Sequence, residues 1–511
     1  MSIELLTAET GNIEILYDNF AEQGIDCDIA LPDYCPDIMR ILKCSVSNGI
    51  VNSKISGDRA SVDGNSKICI VYADDKNEIY CYEQDYPFSK YAELPSSFDG
   101  AVLCAEVSTE YVNCRAVSKK RIDIHGVVSV RFKIVGIKRA AIITDAVGDG
   151  IQLRKKEIIT DDTTTAVLKK FQLAQTEEIG DGKPEIGRIL CANAVPILTE
   201  TRVIKGKILI KGEAVLKVVY CADGRDNESA SASYSLPFSE IIEAENVAED
   251  SEVIVKFYVD QVQAEPKTDN DGEYRYFNLS CDICALITAG KNQTVSVITD
   301  TYSTQKEIDA KYNTMLFSRV VQNLNDSFTF RESLDISTTG AQKIYAVTAE
   351  KPEAKCCFED GKLKIKGSVP VKLILIDGEG SPMFCEREAP FEYSRSTDTN
   401  DGKLKCNFQL FMSDYSCSLS GDGRAEFKAE INVNAVIETS EESRTLVSLS
   451  SSDKPCHGKR HSSLVICFCN GGETVWDIAR KYNTTVEEIM SENDLSSNEI
   501  PDKMMLMIPV K

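Results

Sequence analysis

The sequence is poor in the residues that serve many active sites, and its patterns do not predict an export signal. It has a single tryptophan, Trp476, and only three histidines, His125, His457 and His461. No basic stretch followed by an apolar run opens the chain, so we expect no secretory signal. No apolar run approaches the roughly 20 residues of a membrane helix, so we expect no direct membrane insertion. A P-loop is also missing, which excludes an ATPase of that type.

Positive charge is in short supply. Lysine and arginine number 57 against 80 aspartate and glutamate residues, a formal net charge of −23. Such a surface repels phosphate backbones and anionic membranes, so we expect no nucleic-acid partner. A protein, or a neutral or cationic surface, is the better match. The hydrophobic and charged fractions, 42% and 27%, are those of a soluble globular protein.

Cysteine, by contrast, is plentiful, with 19 residues. Without an export signal, the expectation is reduced thiols in a cytoplasm. Most of these cysteines lie in apolar, strand-like runs, where the free thiol packs as a small buried side chain. Cys281 and Cys284 have C-x2-C spacing, but in an alternating strand they would point to opposite faces.

Two stretches raise the question of a metal. Cysteine and histidine, the usual zinc ligands, cluster near the C-terminus at Cys456, His457, His461, Cys467 and Cys469. This cluster contains no C-x2-C pair, and its last two cysteines alternate within a predicted strand, which favours packing. Residues 269–274, "DNDGEY", lack the further ligands of a calcium loop and predict a hairpin turn. We expect no metal and no cofactor.

The chain contains a long internal repeat. Three stretches begin with a basic residue and two apolar ones, continue to a glycine at an equal distance, and then reach a Pro-Phe pair. The glycines are Gly64, Gly212 and Gly367, and the pairs are Pro87-Phe88, Pro237-Phe238 and Pro390-Phe391. The period of about 150 residues is that of a domain rather than of a solenoid unit. We predict three copies of one domain, at 1–150, 151–305 and 306–447.

Each copy has the pattern of β-structure. Runs such as "KILIKGEAVLKVVY" alternate apolar and polar residues and are rich in β-branched side chains. The glycine in the middle of each run predicts a bulge or sharp bend. Asp-Gly pairs, among them Asp360-Gly361 and Asp422-Gly423, predict tight hairpin turns. The fold class expected is mainly β, with three sandwich- or barrel-like repeats.

A different pattern follows the third repeat. Residues 448–463, polar and rich in serine, predict a flexible linker. Residues 464–511 then predict a small α+β domain in the order strand, helix, helix, strand. Thr474 with Asp477, and Thr484 with Glu487, have capping-box spacing and predict the two helix starts.

This terminal module resembles a LysM domain. The resemblance lies in "GETVW" from Gly472, "IARKY" from Ile478, "NDL" from Asn493 and "IP" from Ile508. It implies a shallow groove for N-acetylglucosamine polymers or for a protein partner. Eight residues, here called the rim, would form it: Gly472, Glu473, Thr474, Val475, Asn493, Leu495, Ile500 and Pro501.

The repeats are similar to the SPOCS domains of spore-forming Firmicutes. The likeness lies in "LPDYCPDIMRIL", from Leu31 to Leu42, and in the "YPFS" and "LPFSEII" stretches. SPOCS repeats followed by one C-terminal LysM domain form the layout of a clostridial family of spore-coat morphogenetic proteins. The resemblance implies a scaffold in the mother-cell cytoplasm that recruits coat to the forespore surface. Its LysM domain would bind the ATPase that polymerises as the basement layer of the coat.

Two other functions remain as alternatives. The first is a protein whose LysM domain binds peptidoglycan. The second is a cell-wall hydrolase anchored by LysM, which would need an export route and a pair of acid and base residues in one cleft. The sequence indicates neither requirement, so we expect a non-enzymatic protein with no catalytic residues.

Overall fold

The fold is described from a computed structural model, for residues 3–222, 228–244, 246–397, 403–456, 464–469, 472–500 and 504–509. The predicted fold class is confirmed: strands dominate, and the two α-helices lie in the C-terminal module. Among the described residues, no helix has the length and apolar character needed to cross a membrane.

The first part of the chain forms two antiparallel three-stranded sheets. Their strands are β1 (Glu4–Ala30), β2 (Arg40–Ser56), β3 (Arg59–Ala73), β4 (Ile79–Glu93), β5 (Val102–Ser118) and β6 (Arg121–Val147). One sheet has the order β1-β6-β5 and the other β2-β3-β4. The sheets pack face to face as a sandwich, with Ile25, Ile70 and Ile124 fully buried between them.

The same topology occurs twice more. The second set is β7 (Ile151–Glu178), β8 (Ile186–Ile204), β9 (Lys207–Ala222), β10 (Ser229–Glu243), β11 (Glu252–Thr268) and β12 (Tyr274–Ser303). The third is β13 (Lys306–Asp335), β14 (Ala341–Ala349), β15 (Glu353–Glu359), β16 (Lys362–Asp377), β17 (Pro382–Ser396), β18 (Lys403–Gly421) and β19 (Arg424–Pro455). Sheets β7-β12-β11 and β13-β19-β18 correspond to β1-β6-β5. In the third set β14 and β15 together take the place of one strand beside β16.

The longest strands extend past the sandwiches as two-stranded ribbons. Strand β6 pairs with β5 only as far as Val135 but with β1 as far as Val147, and β12 and β19 behave in the same way. The three ribbons pack on one another through a shared apolar cluster that includes Ile142, Ile158, Val297 and Phe317. Ribbons of this length are stable because each covers an apolar side of its neighbours.

The three repeats meet through equivalent residues. Leu42, Leu190 and Tyr345 come from the three repeat openings, and all lie in one buried cluster. The same cluster holds Val71, Val219 and Ile374, which occupy matching places on β3, β9 and β16. One polypeptide therefore packs its three repeats as the subunits of a closed trimer pack.

The sequence pattern predicted a bulge or bend at each repeated glycine. The structure shows instead that these glycines do not interrupt their strands. Gly64 and Gly212 lie inside continuous strands, and the register shifts fall on the neighbouring strands β2 and β8. Each glycine is paired with the phenylalanine of the Pro-Phe motif, as Gly212 is with Phe238. A methyl group at Gly212 would collide with the Phe238 ring and the Ile197 carbonyl. The glycine is needed because a ring lies flat against the backbone at that place.

Other turns match their predictions, but the linker does not. Asp360-Gly361 and Asp422-Gly423 form tight turns with positive φ at both residues. A flexible linker was predicted for residues 448–463. The prediction is wrong for residues 448–455, because they form the end of β19. Ser448 to Ser451 pair with Ile308 to Lys311 of β13, and Leu449 is buried in the ribbon core. Backbone pairing and one apolar side chain outweigh the polar composition; residues 457–463 lie outside the described part.

The terminal module has the predicted order. It consists of β20 (Leu464–Phe468), α1 (Val475–Tyr482), α2 (Val486–Glu492) and β21 (Met505–Pro509), with β20 and β21 antiparallel. Its core includes the buried Val475, Trp476, Ile478 and Ala479 of α1, the face that the spacing predicts.

Candidate functional site

The start of α1 is set by the predicted capping box. The Thr474 hydroxyl accepts a hydrogen bond from the Asp477 backbone N–H, and the Asp477 carboxylate accepts from the Thr474 backbone N–H at 3.0 Å. The Thr474 hydroxyl also donates to that carboxylate, which lowers the pKa of Asp477. These bonds pair backbone donors that the helix cannot pair internally, and they place Thr474 at the edge of the rim.

The second helix begins one residue later than the sequence indicated. Its N-cap is Thr485, whose hydroxyl accepts from the Glu488 N–H at 3.1 Å, and not Thr484 with Glu487. Thr484 is buried, and its hydroxyl donates to the Glu488 carboxylate at 2.7 Å. Both threonines match the pattern in sequence, and tertiary packing decides between them.

Trp476 is buried partly by the module and partly by the second repeat. Its ring meets that of Tyr302, on the end of β12, edge to face at 4.9 Å between centroids. The Tyr302 hydroxyl donates to the Thr484 carbonyl at 2.8 Å, in the turn between α1 and α2. Burial at this contact raises the pKa of Tyr302. The terminal module is therefore packed against the ribbon of the second repeat.

Asp300, two residues before Tyr302, completes this contact. One carboxylate oxygen, Oδ2, accepts from the Trp476 indole N–H at 2.9 Å and from the Arg480 guanidinium at 2.7 Å. Asp300 is buried, whereas the Arg480 side chain that pairs with it is about half exposed. Trp476 and Arg480 of α1, with Thr484 of the following turn, form the side of the module that faces the ribbon.

Comparison with protein families agrees with these domains. The family model for the SipL SPOCS domain matches residues 37–117 and 185–267, and the LysM model matches residues 471–509. These are SPOCS and LysM domains. The combination is the one that the sequence resemblance predicted, and it marks a sporulation-related protein with a LysM module.

The matched SPOCS segments span β2 to β5 and β8 to β11; no segment of the third repeat is matched, although its sheets have the same order. No curated protein and no solved structure matches the chain.

The rim of the LysM domain is assembled from two segments. Thr474 forms an isolated antiparallel bridge with Glu499, and the Val475 N–H donates to the Asn498 carbonyl at 3.0 Å. Gly472 lies before them with a φ of 91°, a left-handed conformation that favours glycine. The N-terminus of α1 and the loop before β21 are thereby held side by side.

The structure places the eight rim residues differently from one another. Gly472 is exposed, while Glu473, Thr474, Asn493 and Leu495 are partly exposed. Val475 and Ile500 were predicted as groove residues, but both side chains are buried in the LysM core. The apolar periodicity that starts α1 explains why Val475 points inward. Pro501 lies outside the described residues.

Asn493 has a structural task as well. Its side-chain amide donates to the Met507 and Ile489 carbonyls, and its carbonyl accepts from the Met507 N–H at 2.7 Å. It joins the end of α2 to the free edge of β21. Of the predicted rim, Gly472, Glu473, Thr474 and Leu495 keep side chains or backbone that a ligand could reach.

The roles of Asp300 and Tyr302 were not predicted from the sequence. The only available signal was Trp476 itself, because a buried indole N–H needs an acceptor. That acceptor comes from a strand about 180 residues away in the chain, which local patterns do not reveal.

An open cleft of about 450 Å³ lies beside this contact. Arg154, Lys155, Lys156 and Arg444 line it together with Asp300. Lys155 pairs with Asp145 at 2.9 Å, and Lys156 pairs with Glu441, so much of the positive charge is already balanced. The cleft is lined by residues of the second and third repeats, and it lies beside the contact of Asp300 with the LysM domain.

Four of the cysteines considered for metal or redox chemistry are buried; the fifth, Cys456, is half-buried, and its thiol donates to the Ser303 carbonyl. Cys281 lies in the sandwich core of the second repeat, and Cys284 lies on the other face of β12, as alternation predicts. Burial raises the pKa of each to about 12, so both thiols stay neutral. Cys467 and Cys469 pack in the LysM core, and burial raises the pKa of Cys469 to about 11. His457 and His461 lie outside the described residues.

Two further candidates have structural explanations. Residues 269–274 form the hairpin turn between β11 and β12, in which the Asp269 carboxylate accepts from the Asp271 and Glu273 N–H groups at 2.9 Å. His125 lies exposed on the first repeat, between Asp26 at 2.7 Å and Asp123 at 3.2 Å. Those hydrogen bonds, the one to Asp26 first, raise the pKa of His125.

Proposed function

We propose that this protein is a non-enzymatic scaffold that helps to assemble the spore coat around the forespore. In this proposal it acts in the mother-cell cytoplasm, and its LysM domain docks on the ATPase of the coat's basement layer. The observation that carries the proposal is the combination of SPOCS domains with a C-terminal LysM domain. The acidic surface supports a protein partner over an anionic polymer.

The geometry supports a rigid presentation of the LysM domain. The three repeats pack as one body, and Asp300 and Tyr302 hold the LysM domain at the end of a ribbon. A domain held in this way is presented to its partner at a fixed position. Less orientational freedom is then lost on docking than with a free tether.

A non-enzymatic role is part of the proposal. His125 lies on an exposed sheet surface rather than in a cleft, and the cleft beside Asp300 is lined by basic side chains, of which Lys155 and Lys156 are ion-paired. Neither place offers an acid and a base that face a common substrate position. Zymography with cortex material should therefore give no clearing, and a clearing band from the full chain would contradict this part.

Peptidoglycan binding is the second candidate, and the LysM match itself favours it. The two functions differ in the bait that the protein captures. We propose one capture experiment in which the full chain is offered purified coat ATPase and purified peptidoglycan sacculi in separate arms. The scaffold proposal expects capture by the ATPase; capture by sacculi alone would replace it with the glycan function.

The cellular test is removal of residues 464–511. Because this deletion removes the LysM domain but leaves β19 and the ribbons, the remaining protein should fold and accumulate. We expect it to lose its position at the forespore surface. Normal localisation of the shortened protein would refute the docking role, and immunoblotting of its steady-state level is the necessary control.

A further inference from the structure

The LysM sheet has an apolar side that its own helices do not cover. The register pairs Ile466 with Met507 and Phe468 with Met505, so alternate residues of both strands point away from the helices. Five of them, here called the outer face, are exposed: Leu464 by 45%, Ile466 by 57%, Phe468 by 73%, Met505 by 53% and Met507 by 39%. Their neighbours Cys467, Leu506 and Ile508 fill the core on the other side.

This arrangement differs from that of an ordinary two-stranded sheet. A sheet packed on one side normally carries polar residues on its wet side. Here both strands are apolar on both faces, which is the pattern of strands that are covered twice. The two helices supply the first cover, and within the described part of the chain nothing supplies the second. Contiguous apolar patches of this kind mark interaction sites.

The size of the outer face points to one segment of a partner rather than to a whole domain. Five half-exposed side chains amount to about 300–500 Å², within the range of a functional surface patch. A stable dimer buries about 800 Å² on each partner, so two outer faces packed together would be too small. A single amphipathic helix, with anchors on successive turns, matches the available area.

The charge of the LysM domain indicates which kind of partner segment would bind the outer face. The two hydrogen bonds between Asn493 and the Met507 backbone place the exposed Glu492 and Asp494 beside the edge of β21. Acidic residues also outnumber basic ones in residues 464–511 as a whole. A second copy of the chain would bring like charges together, whereas lysine or arginine beside an apolar stripe would complement them.

We propose that the outer face of β20 and β21 is a docking surface for an amphipathic helix with a basic flank. The two methionines suit such a role because their flexible thioethers adapt to a partner's side chains. The identity of the partner rests on the proposed function, in which the helix belongs to the coat ATPase. The outer face is distinct from the part of the rim at the start of α1, and it meets the rim at Asn493, which bonds to the Met507 backbone.

The test uses the full chain with Phe468→Thr and Met505→Thr combined. Both side chains are exposed, and threonine suits strands, so the LysM fold should persist. An unchanged emission spectrum of Trp476, the single tryptophan, would verify this. Val51→Thr and Ile241→Thr, at exposed strand positions of the first and second repeats, are the matched controls.

Each variant is measured against two probes, the purified coat ATPase and a synthetic leucine-lysine amphipathic peptide. The double variant should bind both at least tenfold more weakly than the parent, while both controls bind as the parent does. Equal affinity of the double variant and the parent for the ATPase would overturn the proposal. So would a parent that binds neither probe.

The peptide separates this inference from the proposed function. If the parent binds the peptide through the outer face but does not bind the ATPase, the docking surface stands and the partner assignment fails. Analytical sedimentation tests whether a second copy of the chain occupies the outer face. A parent that self-associates, with a double variant that is monomeric, would assign the outer face to a second copy and overturn the proposal.

Discussion

Asp300 connects the LysM domain to the rest of the molecule through one carboxylate oxygen. That oxygen accepts from Trp476 and from Arg480, and neighbouring Tyr302 reaches the turn between the helices. Hydrogen bonds from two donors to one buried acceptor stabilise the contact while all three groups are present. Removal of the acceptor leaves both donors unpaired. The contact therefore holds the LysM domain against the second repeat.

Replacing Asp300 by alanine should loosen the LysM domain. The Trp476 indole N–H would lose its acceptor, at a cost of about 1–3 kcal/mol. We expect a red shift in tryptophan emission and faster hydrogen exchange in α1. Asp309→Ala, at an exposed position on β13, should change neither measurement. An unshifted spectrum from the Asp300 variant would contradict the contact described here.

Asp161 gives a prediction about pH. Burial raises its pKa from 3.8 to about 6, and Glu438 and Glu252 add repulsion. The folded protein therefore holds this proton more tightly than the unfolded chain does. The ionised carboxylate destabilises the fold, and the penalty grows as the pH rises from the unfolded pKa to the folded one.

Asp161→Asn should raise the free energy of unfolding at neutral pH by about 1–3 kcal/mol. The gain should vanish at a pH of about 4, where aspartate is protonated in the fold. Urea denaturation at both pH values measures the difference. Asp309→Asn, which changes the same charge at an exposed site, should show no such pH dependence. An equal gain in the free energy of unfolding at both pH values would contradict a raised pKa of Asp161 in the folded protein.

Strands β3, β9 and β16 share one packing arrangement. Each has a glycine opposite the phenylalanine of a Pro-Phe pair on the adjacent strand. The sequence pattern revealed both motifs, and their equal spacing was already a sign of a common geometry. It did not reveal that they touch, because the contact runs across a hairpin and not along the strand.

Gly212→Ala should destabilise the second sandwich. The added methyl group meets the Phe238 ring and a backbone carbonyl, and overpacking of this kind costs about 1–3 kcal/mol. Gly180→Ala is the matched control, since nothing lies within 4 Å of its added methyl group. Thermal unfolding compares the two. Equal stability of both variants would show that the ring moves aside without cost.

The molecule as a whole behaves as three subunits joined into one chain. Tyr345 of the third repeat is buried against the second, and its hydroxyl donates to the Cys221 sulfur at 3.0 Å. Contacts of this kind connect each repeat to its neighbours, so the repeats should not unfold independently.

Tyr345→Ala should lower the stability of all three repeats together. Truncation of a buried aromatic side chain costs about 3–5 kcal/mol. Calorimetry should show one transition at a lower temperature, and hydrogen exchange should rise in the first and second repeats as well. Tyr111→Ala, at an exposed site, is the control. Faster exchange confined to the third repeat would indicate independent domains.

The sequence alone determined the β-class, the repeat, the LysM order of elements and the first helix cap, because each depends on residue patterns and spacings that do not require knowledge of long-range contacts. Only the tertiary structure decided the course of residues 448–455, the choice of Thr485 over Thr484, and the burial of Val475 and Ile500. It alone also revealed the hold of Asp300 on Trp476. These features depend on contacts between residues far apart in the chain, and their energies exceed the local preferences that composition and spacing express.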